Sequence, residues 1–144
     1  MAAVVLLASL GTHGQPSESD PRTAIFGQWQ VIQVICPTCE SGANSDRGSV
    51  IVFESGRITN PFGGDCARPG YDQLRKISTG RLIETKGKSW PNELIKQLKS
   101  NDSLLYGYVT CEGMNHMRMI FAGPERAYYF WEGARVFVLA KRKS

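Results

Sequence analysis

The last third of the 144-residue chain consists of four short, mainly apolar segments in quick succession, and this pattern constrains the fold most. Short apolar segments bounded by turn residues are typical of β-strands. Turns that contain Gly113, Gly123-Pro124 and Glu132-Gly133 separate the segments. Connections this short join sequential strands of an antiparallel meander, so we predict four such strands, at residues 104–111, 117–122, 127–131 and 134–141.

Alternation of apolar and polar residues with a period of two, which is typical of a half-buried strand, predicts a first strand over residues 25–35. Trp29, Val31 and Ile35 are expected to share its inner face. Gln33 has the same phase, so the pattern places its amide inside the sheet as well, where a ligand cavity would use a polar group.

The middle of the chain supplies shorter segments. A β-branched strand is predicted at residues 49–53, and a turn brings the chain back at 58–59. The run 60–70 is rich in proline and glycine, which predicts a loop. Residues 71–77 and 80–85 are weaker strand candidates.

One helix is predicted, at residues 91–99. Pro91 stands in its first turn, and Leu94, Ile95 and Leu98 lie on one helical face. About eight short strands and one short helix predict a mainly β fold. We expect a small antiparallel β-barrel, because closure removes exposed strand edges.

The pattern at the beginning of the chain predicts an export signal. Residues 2–10 are apolar and uncharged, and the run is too short to span a bilayer as a helix. We interpret residues 1–22 as a signal peptide and leader, and 23–144 as a single barrel domain. The protein is then periplasmic or secreted, without an integral membrane segment, and we expect a monomer that does not bind nucleic acid.

In an oxidising compartment the four cysteines predict disulfides. Cys36 and Cys39 form a C-x-x-C motif, which is also compatible with a redox site or with half of a zinc site. Loop-forming residues follow the motif, and Cys66 and Cys111 stand alone in the sequence. A structural role is therefore favoured, with the redox and metal alternatives left open.

Gly27-Gln28-Trp29, together with Lys141 or Arg142 in the last strand, resembles the lipocalin and calycin pattern. The resemblance implies a barrel in which the final-strand cation packs across the Trp29 indole. Such a cation–π contact is worth about 0.5–2 kcal/mol.

A second resemblance covers residues 26–142 and is to small secreted bacterial proteins, mostly without assigned function. It is carried by the Gly-x-Trp opening, by Cys66-Ala67-Arg68-Pro69-Gly70-Tyr71, by Cys111 and by an aromatic hairpin over residues 130–137. It implies a Cys66–Cys111 disulfide. Cys36 and Cys39 are then an addition of this chain.

Signatures of catalysis are nearly lacking in the sequence. His116 is the one histidine after the leader, and no nucleophile elbow or phosphate-binding glycine motif occurs. We therefore predict no catalytic residues, no enzyme activity and no cofactor. Met114 and His116 are soft ligands that could hold copper, but two ligands are too few for a complete site, so we predict no metal.

The remaining candidate residues are mostly aromatic. Aromatic side chains favour cavity linings and partner surfaces. We predict a non-enzymatic exported binding protein for a small apolar molecule or an envelope partner. The alternatives are an inhibitor of a periplasmic lytic enzyme, or a thiol-redox or copper-handling protein that uses the C-x-x-C motif and His116. The predicted ligand-binding residues are Trp29, Gln33, Tyr106, Tyr108, Tyr129 and Trp131.

Overall fold

The computed structural model describes residues 21–39, 43–132 and 135–143. Most of the predicted leader therefore lies outside the described residues. The described chain forms nine strands in one antiparallel sheet: Gly27–Ile35 (β1), Val50–Phe53 (β2), Ile58–Thr59 (β3), Pro69–Gly70 (β4), Arg75–Ser78 (β5), Ser103–Cys111 (β6), Met114–Ala122 (β7), Arg126–Phe130 (β8) and Val136–Lys141 (β9).

Eight of these strands follow the order β3-β2-β1-β9-β8-β7-β6-β4 and form a nearly closed barrel, while β5 pairs with β6 beside them. The last four long strands form the predicted meander. A bridge between Ile58 and Cys66 and the pairing of Pro69 with Cys111 bring the two ends of the sheet together. The predicted small antiparallel barrel is confirmed.

The inside of the barrel is filled with side chains. Trp29, Phe53, Phe137, Met117 and Met119 are each fully buried and belong to one continuous hydrophobic cluster. Such a filled interior is expected for a barrel of about eight strands.

Two helices cover part of the outside: Thr79–Lys86 (α1) and Asn92–Leu98 (α2). They bury Leu82, Leu94 and Leu98 in a second hydrophobic cluster, together with outward residues of β6–β9. The predicted helix at 91–99 is confirmed as α2. Two helices therefore shield one outer face of the sheet from water.

The strand predicted at residues 80–85 is wrong, because these residues belong to α1. Ser78 caps the helix by accepting a hydrogen bond from the Arg81 N–H at 3.3 Å. Thr79 and Leu82 are buried on one side of it. The spacing of three residues between the buried Thr79 and Leu82 is typical of one face of a helix. The Ser78 cap satisfies one of the free N–H groups in the first turn of α1.

The inward position predicted for Gln33 is also wrong. The register of β1 against β9 shifts between Val31 and Gln33, so that Ile32 is an extra residue. This β-bulge reverses the facing of the residues that follow it. Gln33 consequently lies outside the barrel, where it accepts a hydrogen bond from Gln97 of α2 at 2.9 Å, and Ile35 joins the outer cluster.

Candidate functional site

A cleft of about 430 Å³ lies at one end of the barrel. Its apolar wall includes Ile25, Trp29, Leu105 and Phe121. They come from the 3-10 helix Pro21–Ile25 and from β1, β6 and β7. The cleft is therefore built where the N-terminal segment meets the barrel end.

Contacts within the lining hold the apolar wall in place. The Trp29 indole N–H donates to the carbonyl oxygen of Ile25 at 2.8 Å. The Trp29 and Phe121 ring centroids are 5.5 Å apart, with the rings inclined by 71°. Edge-to-face packing and a satisfied indole N–H restrict the rotation of both side chains. The wall is thus formed before any ligand binds.

The rim of the cleft is polar and carries a positive charge. It includes Lys76 of β5 and Ser103 of β6. Lys76 is exposed and forms no ion pair with any residue that the structure describes. An ammonium group above an apolar wall can attract a negatively charged group at the mouth.

The Gly-x-Trp motif lies beside this cleft. The Lys141 ammonium is 5.7 Å from the Trp29 ring centroid and donates to the carbonyl oxygen of Ala24 at 2.6 Å. Gly27 has φ +136°, and a Cβ there would lie 2.9 Å from Cε of Lys141. Glycine is therefore needed at this position. The cation–π contact expected from the lipocalin resemblance is confirmed for Lys141, while the Arg142 backbone N–H donates to Gln28.

The six predicted ligand residues do not converge on one site. Trp29 alone lines the cleft. Tyr106 and Tyr108 alternate with the inward residues of β6, so both lie outside the barrel, and Tyr108 is 37% exposed. With Gln33 also outside, the predicted set does not form a single cavity. The period of two in β6 would have identified both tyrosines as outward.

Tyr129 and Trp131 belong to a different region. The loop of residues 60–65 packs against both, and their rings are 5.8 Å apart. Asn60 is buried and its side-chain amide donates to the Tyr129 hydroxyl at 3.3 Å. Burial raises the pKa of Tyr129, an effect that this hydrogen bond partly offsets. The loop and the two aromatic residues therefore pack against one another in this part of the barrel, away from the cleft.

Tyr106 takes part in an arginine–aromatic cluster on the outer surface. The Arg118 guanidinium lies 4.6 Å from the Phe130 ring centroid, 5.8 Å from Tyr106 and 5.9 Å from Trp90. Its Nε–H donates to the Tyr106 hydroxyl at 3.1 Å. The cluster joins the segment before α2 to the sheet, and sequence reasoning did not identify it.

The cysteines form two disulfides, Cys66–Cys111 and Cys36–Cys39. The pairing implied by the second resemblance is confirmed. Two disulfides fit a protein of an extracellular or periplasmic compartment. His116 contacts a different part of the chain from the C-x-x-C pair. Its Nε2 is 3.1 Å from the carbonyl oxygen of Gly64.

The residues of the copper alternative are dispersed. Met114 is 75% exposed, whereas Met117 and Met119 are buried inside the barrel. Among the described residues, no three His, Cys, Asp or Glu side chains are grouped as a metal site. The sulfur atoms of the cysteines are held in disulfides, where they are poor metal ligands.

Comparison of the chain with protein-family models, with curated proteins and with solved structures found no match. In the part of the chain that the structure describes, no helix has the length and apolar character needed to cross a membrane.

Proposed function

We propose that this chain is an exported, non-enzymatic binding protein, and that the cleft at the barrel end holds a small, mainly apolar ligand. The observation that supports this proposal is the cleft itself, with Ile25, Trp29, Leu105 and Phe121 in its wall. Small-molecule sites are concave and mostly apolar, and they commonly have volumes of about 300–1,000 Å³. A cleft of about 430 Å³ falls within this range.

The order of the cleft wall favours this location. Ile25, Trp29, Leu105 and Phe121 belong to the same buried cluster as the barrel interior, so the apolar wall is continuous with the packed core. Contact with a wall that is already ordered costs little conformational entropy, which favours binding.

The positive charge at the rim favours a ligand that carries a negatively charged group. Lys76 would pair with a carboxylate at the mouth while the apolar part of the ligand enters the cleft. We therefore propose a small amphipathic acid. The two disulfides and the predicted leader support an exported protein, because an oxidising compartment preserves such bonds.

A binding titration tests this proposal. Straight-chain carboxylic acids and alcohols of equal chain length are added to the protein, and binding is followed by calorimetry and tryptophan fluorescence. We expect acids to bind more tightly than the matched alcohols. The fluorescence change should disappear in Trp29→Phe and persist in Trp131→Phe, since Trp131 does not line the cleft.

Two pairs of variants locate the site. Ser103→Phe should block the mouth, whereas Ser89→Phe, at an exposed residue outside the lining, should bind normally. Lys76→Gln should remove the preference for acids over alcohols, and Lys99→Gln should retain it. Failure of all probes to bind, or equal binding by Ser103→Phe and the unchanged protein, would refute the proposal.

A further inference from the structure

The Cys36–Cys39 disulfide differs from Cys66–Cys111 in both setting and span. It closes a four-residue turn directly after β1, and Pro37 and Thr38 between the two cysteines are exposed. Cys66–Cys111 instead spans a sequence separation of 45 and joins the two ends of the sheet, and Cys66 is buried. A disulfide that closes so short a loop restricts the unfolded chain less. Its accessible setting therefore calls for an explanation other than stability.

One sulfur of the short disulfide has a cationic neighbour. Nη2 of Arg135 is 3.8 Å from Sγ of Cys39. The backbone of Arg135 is held as the chain enters β9, because its carbonyl oxygen accepts a hydrogen bond from the Trp131 N–H at 2.9 Å. A guanidinium at this distance stabilises negative charge that develops on the Cys39 sulfur.

The same guanidinium has a second partner. Nη1 of Arg135 is 3.8 Å from Oδ2 of Asp46, at the end of the 3-10 helix Ala43–Asp46. The carboxylate competes with the Cys39 sulfur for the positive charge. Asp46 therefore reduces the stabilisation that Arg135 can give to a thiolate.

We propose that Cys36–Cys39 is a redox-active disulfide that oxidises dithiols of other exported proteins, with Arg135 as its positioning and charge-stabilising residue. A thiolate of the substrate attacks Sγ of Cys36 and forms a mixed disulfide. The Cys36–Cys39 bond breaks, and its electron pair leaves on Sγ of Cys39, beside Arg135.

The second thiolate of the substrate then attacks the mixed disulfide. A disulfide forms in the substrate, and Cys36 leaves as a thiolate. The two protons lost by the substrate thiols are returned through solvent to Cys36 and Cys39. In sum, the substrate dithiol is oxidised to a disulfide while Cys36–Cys39 is reduced to two thiols. This activity is independent of the cleft, whose lining includes neither cysteine.

Reduction of the folded protein by glutathione tests the proposal. The reaction is stopped at intervals by alkylation, and peptide mass spectrometry then quantifies each disulfide separately. We expect Cys36–Cys39 to be reduced while Cys66–Cys111 stays intact. The trapped intermediate should carry glutathione on Cys36. Simultaneous loss of both disulfides, or glutathione on Cys39, would overturn the proposal.

Two variants with opposite expected effects distinguish charge stabilisation from a loosened turn. Arg135→Gln should slow the reduction roughly three- to tenfold, because the leaving thiolate loses its cation. Asp46→Asn should accelerate it, because the competing carboxylate is removed. A merely structural role predicts faster reduction in both variants.

Arg57→Gln is the matched control, since Arg57 pairs with Asp65 and contacts neither cysteine in the structure. It should leave the rate of reduction unchanged. An unchanged or faster reduction in Arg135→Gln, with the fold intact by circular dichroism, would refute the role of Arg135 and with it the proposed mechanism.

Discussion

Replacing Lys141 by methionine tests the contact between the last strand and the Gly-x-Trp motif. The substitution keeps most of the aliphatic chain beside Gly27 and removes the ammonium group, which packs over Trp29 and donates to the carbonyl oxygen of Ala24. The cation–π contact is worth about 0.5–2 kcal/mol. A hydrogen bond from a charged donor contributes about 1.5–3 kcal/mol. Because one partly exposed ammonium makes both contacts, we expect a combined loss of roughly 2–3 kcal/mol.

Urea unfolding, followed by circular dichroism, measures this loss. Lys143→Met is the control, because Lys143 is exposed near the end of the chain, where a substitution changes stability by less than about 0.5 kcal/mol. A double-mutant cycle with Trp29→Phe isolates the interaction with the indole. We expect a coupling free energy of about 0.5–1 kcal/mol, since a phenyl ring retains part of the attraction.

Two results would contradict this reasoning. A loss below about 0.5 kcal/mol in Lys141→Met would mean that the ammonium is as well solvated by water as by its protein partners. A coupling free energy near zero, despite a large loss in the single variant, would assign the stabilisation to the Ala24 hydrogen bond alone. The contact with Trp29 would then have no energetic role.

Three further predictions concern the barrel itself. Replacing Cys66 and Cys111 by alanine should lower the free energy of unfolding by about 4 kcal/mol, because the disulfide spans a sequence separation of 45; a loss below about 2 kcal/mol in urea unfolding would contradict the chain-entropy argument. Asn60→Ala should cost about 1.5–3 kcal/mol, since it leaves the buried Tyr129 hydroxyl without this donor. Thermal unfolding measures this loss, and an unchanged melting temperature would refute it. Burial raises the pKa of Tyr129 and of Tyr71 above that of an unfolded tyrosine. The unfolded chain then releases its phenol protons first, so stability is complete below about pH 10 and falls as the pH rises further. Urea unfolding between neutral and strongly alkaline pH measures this decline, which should be smaller in Tyr129→Phe.

Local patterns along the chain predicted most of the architecture. The meander in the last third was predicted because its four short segments follow one another directly, with glycine-containing turns between them. The helix α2 was predicted because Pro91, Leu94 and Leu98 occupy positions that suit a helix start and one buried face. The helix α1 was missed. Its residues include the β-branched Thr79, Ile83 and Thr85, and its start depends on the cap that Ser78 provides.

The candidate site was predicted less well, for a different physical reason. One extra residue at Ile32 turns Gln33 to the outside, and nothing in the sequence of β1 marks this bulge. The lining of the cleft also combines residues far apart in the chain, such as Ile25, Leu105 and Phe121. The binding residues were predicted because they are aromatic. The type of a side chain does not determine which aromatic residues lie together in the folded protein.

The sequence by itself determined the class of fold, since the period of hydrophobicity and the turn residues are local properties. It also supplied the Gly27 and Trp29 pattern, from which the contact with a final-strand cation was expected. Only the tertiary structure decided the strand register, the position of the bulge and the choice of Arg135 as neighbour of Cys39. These features depend on which distant segments pack together, and the free energy of that packing is a property of the whole barrel.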